Sequence, residues 1–157
     1  YRRQLARTAV KAAGALGDTS LVACLREFKK AHPEMVRATG HPLDDALALL
    51  CNTGHYAKSI AGLGDKSKAV KKRVNDARVF RNGRSIFAVC PLLEIVRDAS
   101  EDIYLRIVAC ETLGWYGQSV CRERIIGELS EILESGEESP QQVKAEIEKT
   151  IKRLKWL

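Results

Sequence analysis

Apolar residues in this chain recur at helical intervals from end to end, and nowhere do they alternate as a half-buried strand requires. Leu5, Ala9, Ala12, Ala13 and Leu16 stand at i, i+4, i+7, i+8 and i+11, which predicts a helix over 4–16 closed by Gly17. Asp18, Thr19 and Ser20 offer an N-cap to a second helix with Leu21, Val22, Leu25 and Phe28 on one side and Pro33 as its stop. Pro42 opens a third, with Leu43, Ala46, Leu47, Leu50 and Cys51 apolar and Asn52-Thr53-Gly54 ending it. A short segment over 55–63 points Ile60 and Leu63 inward, and Gly64 breaks it.

The second half reads the same way. Residues 66–80 predict a helix with a narrow stripe of Val70, Val74 and Ala77. Asn82-Gly83 is a turn signal. The next helix runs to about Ala99 with Pro91 in its first turn, though Val79-Phe80 or Ile86-Phe87 could instead be briefly extended. Ser100 offers a cap to Ile103, Ile107, Cys110 and Leu113. Residues 121–134 give the cleanest face: Ile125, Ile126, Leu129, Ile132 and Leu133. Ser139-Pro140-Gln141-Gln142 has the form of a capping box before Val143, Ile147, Ile151 and Leu154. Helices of this length joined by short loops pack as antiparallel neighbours, so the expected class is all-α and the expected organisation a single domain over 1–157. No apolar run is long enough to cross a membrane. The start, Tyr1-Arg2-Arg3-Gln4, has no initiator Met, and Met35 is the only methionine. The chain therefore reads as a piece of a longer protein.

A Leu-Gly pair closes a predicted helix three times: Leu16-Gly17, Leu63-Gly64 and Leu113-Gly114, at spacings of 47 and 50 residues. Helical units of roughly 40–47 residues that cannot bury their own faces stack into arrays. The stretch Leu105 to Gly117, with Arg106, Ala109, Leu113-Gly114 and Trp115-Tyr116-Gly117, resembles the second helix of a HEAT-type repeat. Ala12 to Asp18 resembles the same helix end, although Ala9 stands where that family favours Arg. Between these stretches only Leu63-Gly64 matches. The resemblance implies an α-α superhelix of three to four stacked helix pairs. It also implies a scaffold that binds proteins in a concave groove. A minority of the family bind nucleic acid, and one relative class removes alkylated DNA bases.

Residues that could carry chemistry are sparse. His32, His41 and His55 lack the spacing that sets two ligands on one helix face. His41 and His55 with Cys51 make an irregular Cys/His set of little promise as a metal site. Cys24, Cys51, Cys90, Cys110 and Cys121 are odd in number and form no CxxC pair. They read as buried reduced thiols, leaning toward a reducing, cytoplasmic setting. Gly62-Leu63-Gly64-Asp65-Lys66-Ser67 lacks the glycine spacing of a phosphate loop and no strand precedes it, so it reads as a helix end. Asp44-Asp45 sit in a first turn, where the helix dipole favours them. Trp115 and Tyr116 could stack on a ligand and read more simply as a loop-side plug. With Glu111 they are the only set a glycosylase of the HEAT-like kind could use.

Charge is more informative. Residues 65–84 carry Lys66, Lys68, Lys71, Lys72, Arg73, Arg78, Arg81 and Arg84 against Asp65 and Asp76, whereas 85–138 are strongly acidic. The basic run is the leading candidate for contact with phosphate or an acidic partner. Phe80 is its only aromatic residue, which supports base stacking poorly. The expected function is non-catalytic protein binding, with nucleic-acid binding as the alternative, and no cofactor or metal.

Overall fold

The computed structural model describes residues 2–34, 41–135 and 139–156, with the side chain of His41 outside the description. These residues form nine α-helices and one 3-10 turn, and no strand. They are α1 (Arg2–Leu16), α2 (Leu21–Ala31), α3 (His41–Cys51), α4 (Gly54–Gly64), α5 (Val70–Val79), α6 (Val89–Arg97), α7 (Ile103–Leu113), α8 (Arg122–Glu134) and α9 (Gln141–Trp156), with the 3-10 turn at Ile86–Ala88 before α6. The extended alternative at Ile86-Phe87 is thus a tight helical turn, nucleated by Ser85, whose Oγ accepts from the Phe87 amide at 3.3 Å.

From α4 onward the helices pack as hairpins: α4 on α5, α6 on α7, α8 on α9. Alternate helices also touch, α4 with α6 and α6 with α8 on one side, α5 with α7 and α7 with α9 on the other. Helix α7 is consequently enclosed on several sides. Leu105, Arg106, Val108, Ala109, Cys110, Thr112 and Leu113 are all buried, and Ile103, predicted to face inward, is exposed instead. Asp102 rather than Ser100 caps this helix, its Oδ1 accepting from the Leu105 amide at 3.1 Å.

One pattern recurs 33 residues apart in the hairpins α4–α5 and α6–α7. Arg73 Nε donates to the carbonyl of Leu63 near the end of α4 at 2.9 Å, and Arg106 Nε donates to that of Val96 near the end of α6 at 3.0 Å. In the turns between, Asp65 Oδ1 accepts from the Ser67 amide and Asp98 Oδ1 from the Ser100 amide, at 3.0 and 2.9 Å. Each arginine sits on the first turn of the second helix of a hairpin and covers the C-terminal carbonyls of the first, groups that a helix leaves unsatisfied. The Leu-Gly echo misled, because Leu63-Gly64 ends α4 and Leu113-Gly114 ends α7, helices of opposite sides of the stack. Ser139, expected to cap α9, instead has its Oγ taken by Arg106 Nη2 at 2.8 Å. The first α9 bonds run to the Pro140 carbonyl.

Helices α1, α2 and α3 have a small core of their own: Val10, Leu25, Leu43, Ala46 and Leu50. α1 crosses α3 closely because Gly14 meets Ala46, two small residues that let backbones approach. Hence α1 buries Val10 and Gly14, whereas of the predicted stripe Leu5, Ala9, Ala12 and Leu16 are exposed and Ala13 alone packs, half-buried, against the small core. Gly17, at φ 78°, turns the chain sharply against the Ile86 side chain, and the Leu16 carbonyl accepts from the Val120 amide at 3.0 Å. The N-terminal helices are thereby fastened to the α7–α8 connection.

Replacing Arg106 by Ala should destabilise the chain by about 3 kcal/mol, since it strands a buried carbonyl and hollows the core. Ser139→Ala should cost only about 1 kcal/mol, one neutral partner. Urea denaturation of the two variants against the parent gives the comparison.

Candidate interaction surfaces

The basic segment does not form a continuous free patch. Arg73 is 4% exposed and grips Glu101 with both terminal nitrogens at 2.7 Å. Lys66 Nζ lies 2.7 Å from Asp98 Oδ2, and Arg81 Nη2 lies 2.6 Å from Glu111 Oε2. Lys72 reaches Asp76 at 3.4 Å along its own helix. Arg78 Nη2 donates to the Tyr104 hydroxyl at 2.7 Å. Lys68, Lys71 and Arg84 make no ion pair among the described residues. The contrast between basic 65–84 and acidic 85–138 is therefore partly internal: for Lys66, Arg73 and Arg81 the α6–α7 hairpin supplies the carboxylates that meet them. Sequence spacing could not pair Arg73 with Glu101, which are 28 residues apart.

These pairs shift the carboxylates. Arg73 beside Glu101 holds its carboxyl below the ordinary 4.5. Lys66, then Ser100, holds Asp98 below the usual carboxylate range. On α5 itself Asp76 is 5% exposed and its Oδ2 is buried without a hydrogen-bond partner, pressed against Gly62 of α4.

The other sequence candidates separate. Tyr116 is fully buried, its hydroxyl donating to the Ser85 carbonyl at 2.9 Å, and burial raises its pKa. Trp115 is exposed, with the Arg153 guanidinium 5.4 Å above its ring. Since Glu111 is engaged by Arg81, the three residues do not converge on a common open site. Asp44 pairs with Lys29 at 2.9 Å. His32 stacks on Phe28 and reaches Glu34 at 3.4 Å. His41 as a ligand falls outside the described residues. No cluster of three His, Cys, Asp or Glu suited to a metal is found among the described residues. Of the five thiols, expected to be buried, only Cys110 is; Cys24 and Cys90 are exposed, Cys51 and Cys121 half-buried, and all are free. Cys24 lines an open gap between α1 and α2, and Cys90 on α6 meets the Arg124 guanidinium at 3.2 Å, which a count of cysteines cannot reveal.

A cleft of about 490 Å³ opens where the N-terminal helices meet the main stack. Lys11 lines it from α1, Asp45 from α3, His55 and Tyr56 from α4, and Asn82 and Arg84 from the turn after α5. The His55 ring lies tilted against Tyr56 with centroids 3.8 Å apart, and burial, then Asp45, raises the Tyr56 hydroxyl above its ordinary value. Gly83 gives the tyrosine ring its room. Arg84 Nε is buried there without a partner. The sequence signal for this grouping was weak, since its members come from four separate segments.

Compared with protein-family models, curated proteins and solved structures, the chain matches none.

Because the Glu101 carboxyl titrates lower in the folded chain, its pair with Arg73 contributes stability that is present above pH 4.5 and is lost as pH falls through the folded value. Unfolding free energy should thus drop below about pH 4.5 by about 2 kcal/mol more in the parent than in Glu101→Gln, a charged pair's worth. Urea midpoints from pH 7 to pH 3 give the difference. Burial pushes the Cys110 thiol up to about 12. At pH 8 iodoacetamide should therefore modify Cys24 and Cys90 in the folded chain and Cys110 only after unfolding, as peptide mass spectrometry would report.

Proposed function

We propose that the chain is a non-catalytic protein-binding module, a HEAT-like α-solenoid of three to four stacked helix pairs. The 33-residue recurrence of Arg73 and Arg106, together with the alternate-helix packing, supports the stacked reading. In such a stack, positions one repeat apart are neighbours, so side chains exposed at each recurrence line up into a surface.

One observation carries the binding reading. Val70 and Ile103, exactly one repeat apart in number, are both exposed large apolar residues at the first turns of α5 and α7. They line a shallow groove of about 570 Å³ with Lys66, Lys68 and Asp102. Tyr104, 53% exposed, extends it toward Arg78. Apolar and aromatic side chains rimmed by charge are the composition of a protein interface. The internal pairing of Lys66, Arg73 and Arg81 weighs against nucleic acid as the partner, since phosphate binding rests on cations free to displace counterions.

Affinity capture from the source of the chain should retain a protein that is lost on Ile103→Ser with Tyr104→Ala, with melting essentially unchanged because both side chains are exposed. In parallel, duplex and single-stranded oligonucleotides should show no complex tighter than about 10 μM at roughly 150 mM salt. A tight complex that weakens steeply with salt and disappears on Lys71→Glu would replace protein by nucleic acid.

A further inference from the structure

Helices α1 and α2 each pack on α3 but make little contact with each other. Between them lies a groove of about 270 Å³, lined by Ala6, Ala9 and Ala13 from α1 and by Leu21, Cys24 and Phe28 from α2. No charged side chain lines it. Its outer edge continues in the stripe Leu5, Ala9, Ala12 and Leu16, in which Leu5 is 61% exposed. These residues stand one helical turn apart and form a second apolar face of α1, opposite in use to the Val10 and Gly14 face that meets α3. A three-helix cluster with one such gap is the shape that a fourth helix completes. The alanines let its backbone come close, and Phe28 and Leu21 flank the seat for larger anchors.

Charge selects the occupant. α1 carries Arg2, Arg3 and Arg7 and no carboxylate, while Lys11 turns to the Tyr56 cleft. A helix laid along it lies within a Debye length of these cations. A second copy using the same face would bring a second set of arginines against them, whereas carboxylates flanking an apolar stripe would meet them favourably. We propose that the α1–α2 groove docks an amphipathic helix of another protein, with large apolar residues on one face and Asp or Glu beside them. This rests on the protein-binding reading above, at a surface distinct from Ile103 and Tyr104.

Cys24 reports on the groove directly, because its exposed thiol lines the wall, and the exposed Cys90 on α6 serves as an internal control. The probes are three synthetic helical peptides of one length. The first has Leu at i, i+3, i+4 and i+7 flanked by Glu, the second has Lys in place of Glu, and the third keeps the composition of the first with the order scrambled. Peptide-resolved alkylation rates are measured on the full chain. At ten times its dissociation constant the acidic peptide should slow Cys24 about tenfold, by one-site mass action, with Cys90 unchanged. The basic and scrambled peptides should give no protection. Ala9→Glu, at an exposed position, should remove the protection by the acidic peptide while circular dichroism stays the same.

The proposal fails if the acidic peptide leaves Cys24 unprotected at about 1 mM, the weakest affinity of use for recognition. It also fails if the basic peptide protects equally, or if Cys24 protection rises with protein concentration alone, which would make a second copy the occupant. Should Cys24 fail to respond while the Ile103 and Tyr104 variant still loses its partner, only the groove assignment falls. Failure of both would remove the protein-binding reading itself.

Discussion

Two buried arginines hold the main stack together. A guanidinium is taken out of water at a large cost in solvation, and it stays only where fixed acceptors surround it. Arg73 and Arg106 meet that condition in related ways: each gives Nε to a carbonyl at the end of the preceding helix, and Arg73 gives both terminal nitrogens to Glu101 where Arg106 gives Nη2 to Ser139 in the next connection along. The carbonyls gain a partner they would otherwise lack, and the turns gain a fixed separation. Each arginine therefore sets the distance from one helix pair to the next, and the apolar faces of α6, α7 and α9 pack within that frame. Thr150, donating to the Cys110 carbonyl at 3.2 Å, adds a smaller bond between α7 and α9.

Small residues do the corresponding work at the N-terminal end. Gly14 against Ala46 replaces side-chain volume by backbone proximity, so a core of only five buried residues suffices there. The cost of that economy is coverage. A helix that meets its neighbour through glycine and alanine leaves the rest of its apolar surface to solvent, and on α1 that surface is a complete stripe. The same arrangement leaves the cleft around Tyr56 between this small cluster and the larger one.

Electrostatics reinforces the architecture more than it decorates the surface. The basic and acidic segments face each other across adjacent hairpins, so Lys66, Arg73 and Arg81 find their counter-charges within the molecule. What remains outward is uneven: cations along α1 and at Lys71 and Lys72 of α5, and apolar and aromatic side chains at the first turns of α5 and α7. Such a distribution suits recognition by shape and apolar contact with charge as a selector.

The all-helical class was legible in the sequence, because 3.6-residue periodicity and the Gly and Pro breaks are local properties; the faces of α8 and α9 were read correctly for the same reason. The 33-residue repeat was present in Asp65-x-Ser67 and Asp98-x-Ser100 and in Arg73 and Arg106, but was hidden behind a louder Leu-Gly echo of different spacing. The face of α1, the burial of Arg73, the exposure of Cys24 and the grouping of Lys11, Asp45, Tyr56 and Arg84 were not legible. Each depends on which neighbour a helix meets, and periodicity names a face without naming what covers it. By itself the sequence determined where helices begin, end and turn apolar. Only the tertiary structure decided which charges cancel and which apolar face stays open, because both are pairwise facts about segments far apart in the chain.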